Sequence, residues 1–343
     1  MTEMIKTAVF GASGYIGVEL VRLLMGHGHF QIVAVTGDRR AGEAYGDVYP
    51  HLAHLDLPAL QRIEEVDLSD IDLVFAGLPH GVAQHFARTL PATTRMVDVS
   101  ADFRLRDPND YETWYAQPHA APDLQQAAVY GLPEFYRDAI KDAKIVANTG
   151  CYVATSLLPL IPVLHTGLID PDRIIIDAAS GVTGAGRSAK EGLLYTEVTD
   201  GFHAYGIGHH RHMGELDQEL SKAAGRKVTP SFTPHLLPQS RGILATIYVD
   251  GDADAIHKTL VERYEQEPFV YVLPYGRTPA TRHVKGSNMC RIGVAADRTN
   301  GRAIITSALD NLGKGASGQA LQNANIMYNL EETLGLQKTP IFP

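Results

Sequence analysis

The sequence contains little of what would mark a secreted or membrane-embedded protein. Only two cysteines, Cys151 and Cys290, occur in 343 residues, and they lie far apart. This excludes the disulfide framework of small secreted domains. No apolar run approaches the roughly 20 residues that span a bilayer, and nothing before Ile5 resembles a secretion signal. We therefore expect a cytoplasmic protein without a membrane partner.

Clusters of basic residues are also lacking. The formal net charge is −9 at pH 7, from 30 Lys and Arg against 39 Asp and Glu. Because binding of a nucleic-acid backbone needs a basic face, we expect no nucleic-acid partner. Hydrophobic residues make up 45% of the chain and charged residues 20%, which is typical of a compact enzyme. The length suits two domains of α/β size.

The N-terminal stretch predicts a strand over residues 5–10, a glycine loop over 11–17 and a helix over 18–25. In a doubly wound sheet, this first loop holds the pyrophosphate of a dinucleotide against the helix N-terminus. The spacing is G-x-x-G-x-x-G, and a glycine triplet alone also fits a plain turn. The flanking strand and helix favour the dinucleotide. The predicted cofactor contacts are Gly11, Ser13, Gly14, Tyr15, Ile16 and Gly17.

The next predicted strand, over residues 31–36, is followed by Asp38, Arg39 and Arg40. An acid at that strand end accepts the ribose hydroxyls of NAD, whereas an arginine pairs with the 2′-phosphate of NADP. The acid and the arginines therefore favour different cofactors. We favour NADP, bound by Arg39 and Arg40, with solvated surface charge as the alternative.

Two later strand ends point to the same edge of the sheet. Pro79 and His80 follow one strand and are expected to line the cofactor crevice, although His80 also fits a loop histidine without a role. Arg104 follows the next strand, where it is positioned for an anion. A loop salt bridge with Asp102 or Asp107 is the alternative for Arg104.

The stretch over residues 148–152, Asn-Thr-Gly-Cys-Tyr, joins a short apolar run to a long one at 153–164. It predicts a strand, a tight turn and a helix whose first turn holds Cys151. The N–H groups and dipole of a helix N-terminus favour a thiolate, which is the attacking form. A small buried apolar residue is the alternative, because one cysteine carries no catalytic signature by itself.

A second glycine-rich loop, over residues 180–188, follows the strand predicted at 173–178. Its bare amides, with Arg187 and Lys190, suit a phosphate or cofactor contact, and a flexible surface loop is the alternative. From this loop the predicted cofactor contacts are Ser180, Gly181 and Gly184.

Three histidines, His209, His210 and His212, precede Glu215. They allow a zinc site, but neither cysteine has ligand spacing to them. A histidine with a pKa near neutrality would serve a thiolate as ion-pair partner and proton donor. We prefer this acid–base interpretation and predict no metal.

The remaining sequence predicts several strands and few helices, which favours a mixed, largely antiparallel sheet that could also form a subunit contact. Cys290 lies in one of these strands and is interpreted as packing. The C-terminal helix is expected to reach about Leu334, and the Lys314 loop before it either closes over the nicotinamide or caps that helix. The predicted strands are 243–249, 269–273, 289–295 and 303–308, and the helix between them is 252–267.

With these residues in hand, the chain resembles the N-acetyl-gamma-glutamyl-phosphate reductases, acyl-phosphate-reducing enzymes of arginine biosynthesis. Separated motifs in the right order carry the resemblance over nearly the whole length. One departure is Gly214, where the family usually has proline before the glutamate, and it concerns how Glu215 is aimed. The motifs are residues 11–20, 77–82, 100–104, 148–152, 210–212 with Glu215, 234–242 and 310–323.

The resemblance implies a fold and a reaction. The fold is a Rossmann-type doubly wound parallel sheet plus a second α+β domain with a mixed sheet. The first domain, 1–147, binds NADP and is completed by the C-terminal helix region 316–343, while 148–315 forms the catalytic, substrate and oligomerisation domain. The reaction reduces N-acetyl-gamma-glutamyl phosphate with NADPH through a thioester, in a homodimer or homotetramer.

The resemblance also assigns residue roles. The nucleophile falls on Cys151 and the catalytic histidine on His210, and Asn311 joins the cofactor contacts. The substrate contacts are Arg104, Asn148, Tyr205, His212 and Glu215. The rivals are a sister reductase acting on carrier-bound aminoadipyl phosphate or on aspartyl phosphate, and a dinucleotide-sensing protein without catalysis.

Overall fold

A computed structural model of the chain describes residues 4–342. These residues form two compact units: 4–149 with 316–336, and 150–315 with 337–342. The domains predicted from the sequence include residues 1–3 and 343, which lie outside the described residues.

The secondary structure is given in chain order. The strands are β1 (Ile5–Phe10), β2 (Phe30–Thr36), β3 (Leu60–Gln61), β4 (Leu73–Ala76), β5 (Arg95–Asp98), β6 (Val129–Gly131), β7 (Ile145–Asn148), β8 (Ile175–Gly181), β9 (His203–Ala204), β10 (Ser231–Leu237), β11 (Ile243–Asp250), β12 (Val270–Val272), β13 (Cys290–Ala296) and β14 (Arg302–Leu309). The α-helices are α1 (Tyr15–Met25), α2 (Tyr45–Val48), α3 (Val82–Ala87), α4 (Pro108–Tyr115), α5 (Pro122–Ala127), α6 (Pro133–Asp142), α7 (Cys151–His165), α8 (Tyr195–Val198), α9 (His212–Ala224), α10 (Ala253–Tyr264) and α11 (Gly318–Met327).

The first unit is built on a parallel sheet with the strand order β3-β2-β1-β4-β5-β7-β6. Strands β4 and β7 are buried along their whole length, because helices cover a parallel sheet on both faces. The order reverses between β1 and β4, and ligands bind at such a switch point, beyond the carboxyl ends of the strands. This confirms the predicted doubly wound sheet.

The C-terminal helix belongs to the first unit, where α11 packs against α1 and α6. It ends at Met327, short of the expected Leu334, and Asn329 then takes a left-handed conformation with φ of 53°. Asparagine tolerates that conformation and commonly ends helices.

The last residues that the structure describes, from Gln337 onward, do not stay with the first unit. The backbone N–H of Asn288 donates to the Gln337 carbonyl and that of Ile341 to the Lys285 carbonyl, each at 2.8 Å. Residues 337–342 therefore lie with the second unit, whereas the sequence placed 316–343 with the first.

The second unit is built on a mixed sheet with the strand order β12-β13-β14-β11-β8-β10-β9. The pairs β8–β10 and β12–β13 are parallel and the other pairs are antiparallel. Helices α7 and α10 pack on one face. Strand β11 alternates buried and half-buried residues, as expected for a sheet with one covered face. The predicted mixed, largely antiparallel sheet is confirmed.

Helix α7 is almost entirely buried although it contains Pro159 and Pro162. Pro162 has no N–H for the carbonyl of Leu158, four residues earlier. The hydroxyl of Tyr264 donates to that carbonyl instead. The helix therefore continues from Cys151 to His165 as a rigid support for its first residue.

One stretch differs from the sequence prediction. Ser180 and Gly181, predicted in a loop, end β8 because they pair with Leu236 and Leu237 of β10. Among residues 4–342, no helix has both the length and the apolar character to span a membrane.

Candidate active site

The second unit begins with the predicted cysteine turn. Gly150 is the N-cap of α7, and Cys151 is the first helical residue, half-exposed. The helix N-terminus places backbone N–H groups and the positive dipole end beside the thiol. The sequence pattern predicted this arrangement, which favours the attacking thiolate.

The turn is held by the first turn of α9. Glu215, which is 2% exposed, accepts the Gly150 N–H at Oε1, 2.9 Å away. A Cβ on Gly150 would lie 2.6 Å from His212 Nε2 and 2.9 Å from Glu215 Oε2, so a side chain at this position would have to displace one of them. Gly214 in place of proline therefore leaves Glu215 aimed at the cysteine turn.

Aromatic rings surround His210. Its ring lies 5.8 Å from that of Tyr152, 5.5 Å from Tyr205 and 4.8 Å from His212. The Tyr205 hydroxyl donates to that of Tyr152 at 3.2 Å, and Tyr152 donates to the His235 carbonyl at 2.8 Å. Burial, with a contribution from a charged Cys151, raises the pKa of Tyr205 to about 12. Tyr205, His210, His212 and Cys151 are thus brought together in this unit.

His210 is a neutral imidazole at physiological pH. Burial first, and then the charges of Arg211 and His209, lower its pKa to about 4. The expectation of an imidazole titrating near neutrality is therefore wrong for His210. The backbone N–H of His212 donates to His210 Nδ1 at 3.1 Å, which assigns the remaining proton to Nε2. Nε2–H is then a hydrogen-bond donor.

The three histidines are not equivalent. His209 is exposed, and its Nδ1 bonds to the Ile207 carbonyl at 2.9 Å. Among residues 4–342, no three His, Cys, Asp or Glu side chains are grouped so that they could hold a metal ion. His209 therefore differs from His210 and His212, whose rings lie 4.8 Å apart.

In the first unit, Arg104 and Asn148 lie together at the carboxyl ends of β5 and β7. Arg104 Nε donates to the Asn148 carbonyl at 2.8 Å. The Asn148 side chain, predicted to bind substrate, is fully buried, donates to the Ala316 carbonyl and accepts from Asn323. An amide engaged in this way fixes the strand end before the turn.

Two buried carboxyls shape the loop that carries Arg104. Asp98 accepts from Ser100 and Phe103, and burial, then the charge of Asp102, raises its pKa to about 7. Asp102 accepts the N–H groups of Gly81 at 2.7 Å and Gln84 at 3.1 Å. Asp102 therefore anchors the loop of Pro79 and His80 beside that of Arg104. The sequence offered it only as an ion-pair partner.

The glycine loop of the first unit fits a dinucleotide. Gly11 has φ of +74°, and a Cβ there would lie 2.2 Å from the Gly77 carbonyl oxygen. The hydroxyls of Tyr45 and Tyr49 donate to the carbonyls of Ala12 and Ser13 at 3.0 and 2.8 Å. With those carbonyls held, the loop leads into the N-terminus of α1, which suits a pyrophosphate. Nothing in the sequence marked the two tyrosines for this task.

The predicted contacts of the second glycine-rich loop also come together, within the second unit. Asn311 Oδ1 accepts the Gly242 N–H at 2.8 Å, and its Nδ2 donates to Thr183 Oγ1 at 2.9 Å. A Cβ on Gly184 would lie 3.2 Å from Ser180 Oγ. Gly181 donates to the Gly242 carbonyl at 2.9 Å. The strand ends of β8 and β14 therefore form one polar cluster.

The side chain of Lys314 does not extend into solvent. It is fully buried in a π-helical turn, Gly313–Ser317, that leads into α11. Such turns are frequent at functional sites. A Cβ on Gly315 would lie 2.9 Å from that of Cys151, so this turn packs directly against the thiol-bearing residue.

Two family models and many named relatives match this chain. The model "semialdehyde dehydrogenase, NAD binding domain" matches residues 6–143, and "semialdehyde dehydrogenase, dimerisation domain" matches residues 151–311. An N-acetyl-gamma-glutamyl-phosphate reductase of Ruegeria pomeroyi is 56% identical over 339 residues, covering 98% of this chain and 99% of the relative. One of Jannaschia sp. is 57% identical with the same coverage.

Solved structures share the fold at low identity. The aspartate semialdehyde dehydrogenase II of Vibrio cholerae, complexed with ASA, has a TM-score of 0.73 at 17% identity, covering 96% of this chain and 99% of that one. The Candida albicans aspartate semialdehyde dehydrogenase with NADP has a TM-score of 0.69 at 17% identity, covering 95% and 99%. At this identity the likeness shows the fold alone.

Proposed function

The chain belongs to the N-acetyl-gamma-glutamyl-phosphate reductase family, and from this membership we propose the residues that perform its reaction. The protein reduces N-acetyl-gamma-glutamyl phosphate with NADPH to N-acetylglutamate semialdehyde and phosphate, a step of arginine biosynthesis. Cys151 is the nucleophile. The observation that supports this role is its place in the first turn of α7, with the preceding turn held by Glu215 and bordered by His212.

The first half of the reaction is acyl transfer to sulfur. The Cys151 thiolate attacks the acyl carbon, a C–S bond forms, and the bond from that carbon to the phosphate oxygen breaks. The proton given up by the thiol ends on the departing phosphate. Arg104, a buried cation at the end of β5, binds the anionic substrate. Covalent capture divides one difficult reduction into two easier steps.

The second half needs a donor for negative charge on oxygen. When bound, NADPH supplies the hydride that reduces the thioester to a thiohemiacetal. The neutral His210 donates Nε2–H to the resulting oxyanion, as a preorganised dipole in a site shielded by Tyr152 and Tyr205. The oxyanion collapses to the aldehyde and expels the Cys151 thiolate, so His210 can act without becoming charged.

The first unit supplies the residues that hold the cofactor. The loop over residues 11–17 takes the pyrophosphate, and Arg39 takes the adenosine phosphate. The loop of Pro79 and His80 serves the remainder of the dinucleotide. The reducing conditions of the cytoplasm, where we place the protein, keep a nucleophilic thiol available.

The second unit carries a dimerisation domain, and we infer that its open sheet face pairs two copies of the chain. On β11, the half-buried Tyr248 lies opposite Ile175 of β8 and Ile304 of β14, away from α7 and α10. The apolar side chains at this end of the open face suit a homodimer surface. Tyr248→Lys should therefore lower the mass measured by light scattering. A variant of parental mass would contradict this face.

The reverse assay tests the function most directly. N-acetylglutamate semialdehyde, phosphate and NADP should give NADPH formation that depends on phosphate. Aspartate semialdehyde should react at least about 10-fold more slowly, because a site built for one chain length and its acyl group binds the shorter one poorly. Faster turnover of aspartate semialdehyde would favour the sister reductase, and no turnover with either would favour a sensing protein.

A further inference from the structure

The first unit contains an open cavity of about 630 Å³ beyond the carboxyl end of β2. The residues that line it are Asp38, Arg39, Ala41, Gly42, Arg62 and Glu65. Arg39 was expected there from the sequence. Arg62 comes from the far end of β3 and was not.

Backbone hydrogen bonds, not flexible side chains, bring the two arginines together. The Gly37 N–H donates to the Gln61 carbonyl at 3.0 Å, and the Gly42 N–H donates to the Leu60 carbonyl at 2.7 Å. The loop that contains Arg39 is thus tied at both ends to the strand that leads into Arg62. Arg39 and Arg62 therefore border the same cavity.

The three arginines near this strand end have different partners. Arg40 pairs with Glu43, with 2.9 Å between Nη1 and Oε2. Within residues 4–342, neither Arg39 nor Arg62 has a carboxylate ion pair. Glu65, which also lines the cavity, accepts the backbone N–H of Arg62 at 2.9 Å. Arg39 and Arg62 therefore remain available to an anion.

The cavity adjoins the glycine loop. The N–H groups of Gly11 and Ala12 donate to Thr36, at Oγ1 and at the carbonyl, over 3.1 and 2.8 Å. A Cβ on Gly37 would lie 2.9 Å from Ser13 Oγ. A dinucleotide with its pyrophosphate on this loop has its adenosine ribose above the end of β2, which is where the cavity opens.

We propose that Arg62 and Arg39 together bind the 2′-phosphate of NADP, and that Arg62 is a specificity-determining residue for NADP over NAD. Two planar guanidinium groups can each donate to a dianionic phosphate, and NAD offers no phosphate to them. Arg40, committed to Glu43, is left out of the pair. The inference rests on the proposed use of NADP and deepens it.

The test compares binding of 2′,5′-ADP, which carries the phosphate, with 5′-AMP, which lacks it, by calorimetry at fixed ionic strength. Arg62→Ala should weaken 2′,5′-ADP at least about 10-fold and leave 5′-AMP unchanged. Arg39→Ala should do the same, and the double variant should lose the preference. Arg226→Ala, which removes an exposed arginine paired with Asp172 in the second unit, controls for the loss of charge.

The outcomes separate this inference from the function on which it rests. If the parent protein binds both nucleotides equally, its use of NADP is wrong. If the parent prefers 2′,5′-ADP but Arg62→Ala keeps that preference, only the assignment of Arg62 fails. If Arg40→Ala weakened 2′,5′-ADP binding as much as Arg62→Ala, the phosphate site would include Arg39 and Arg40, as the sequence predicted. Arg62→Lys, which keeps one charge, should retain part of the preference.

Discussion

The two cysteines of the chain stand in opposite surroundings. Cys151 is half-exposed at the first turn of a buried helix, beside a turn bonded to Glu215 and bordered by His212. Cys290 begins β13, is fully buried, and has its Sγ 3.5 Å from Ser307 Oγ. The proposed nucleophile is thus a half-exposed helix-start residue, whereas the other cysteine is a packing residue inside the sheet. The reactivity of a cysteine thiol therefore depends on the secondary structure and the side chains that surround it.

The largest expected effect on activity comes from replacing the Cys151 thiol with a hydroxyl, and Cys290→Ser is the matched control. Cys151→Ser should lower kcat at least about 10³-fold, because a serine hydroxyl near neutral pH lacks the nucleophilicity of a thiolate. Binding of 2′,5′-ADP should be retained. Cys290→Ser should keep the parental kcat and lose about 1 kcal/mol of stability at most, since Ser307 can bond the new hydroxyl. A Cys151→Ser variant with nearly the parental kcat would contradict covalent catalysis by Cys151.

The neighbouring imidazole gives the next effect. His210→Ala should lower kcat about 10²-fold, because the oxyanion loses a donor. His210→Gln, whose amide can donate, should recover about 10-fold of that loss. His209→Gln is the matched control, since His209 is exposed and bonded to Ile207.

The pH dependence of kcat/KM separates a donor from an acid–base group. A pKa of about 4 leaves His210 neutral above pH 5, so the parent profile should show no His210 limb near 6.5. A limb near 6.5 that disappears in His210→Gln would instead make His210 a titrating acid–base group.

The sequence predicted the local turns of each unit, but it did not predict the contacts between residues that are distant in the chain. The loop over residues 11–17 and the turn at Cys151 are local patterns of strand, glycine and helix, so a short stretch specifies each. The bond from Glu215 to Gly150 joins residues 65 positions apart. The pairing of Arg62 with the Arg39 loop depends on strand β3, which is only two residues long. Such contacts depend on tertiary structure.

The sequence also did not predict how deeply particular polar side chains are buried. Asn148 was expected at the substrate but lies among α11 contacts, and His210 was expected to titrate near neutrality but is desolvated. Both depend on how many neighbours surround a side chain after folding. The end of α11 was in principle readable, because Asn329 is a residue that commonly follows a helix.

A smaller loss of activity is expected when the turn before Cys151 is disturbed and the thiol itself is kept. This tests whether the position of the thiol matters for the rate. Glu215→Ala removes the acceptor of the Gly150 N–H and should lower kcat about 10-fold through misplacement of Cys151. Glu215→Gln keeps an acceptor oxygen and should cost less. Both should leave 2′,5′-ADP binding unchanged. Equal losses in the two variants would point to the charge of Glu215 and not to its hydrogen bond.

The smallest expected effect is on the free energy of unfolding at acidic pH. His210, near Cys151, should contribute to this pH dependence, whereas Cys290 should not. The pKa of His210 is about 4 in the folded protein and about 6.5 in the unfolded chain, so between these values the unfolded chain binds a proton that the folded chain does not. Its contribution is fully present above pH 6.5 and is lost as the pH falls toward 4. The loss is at most about 3 kcal/mol.

His210→Gln should therefore lose less of its unfolding free energy between pH 7 and 5 than the parent, as measured by urea denaturation. Cys290→Ser, on β13, should follow the parental pH dependence because this variant keeps His210. A parental slope in His210→Gln would mean that the imidazole is solvated in the folded protein. A neutral Nε2–H donor beside Cys151 would then lose its physical basis, since a solvated histidine titrates near 6.5 and would be free to exchange protons with the substrate.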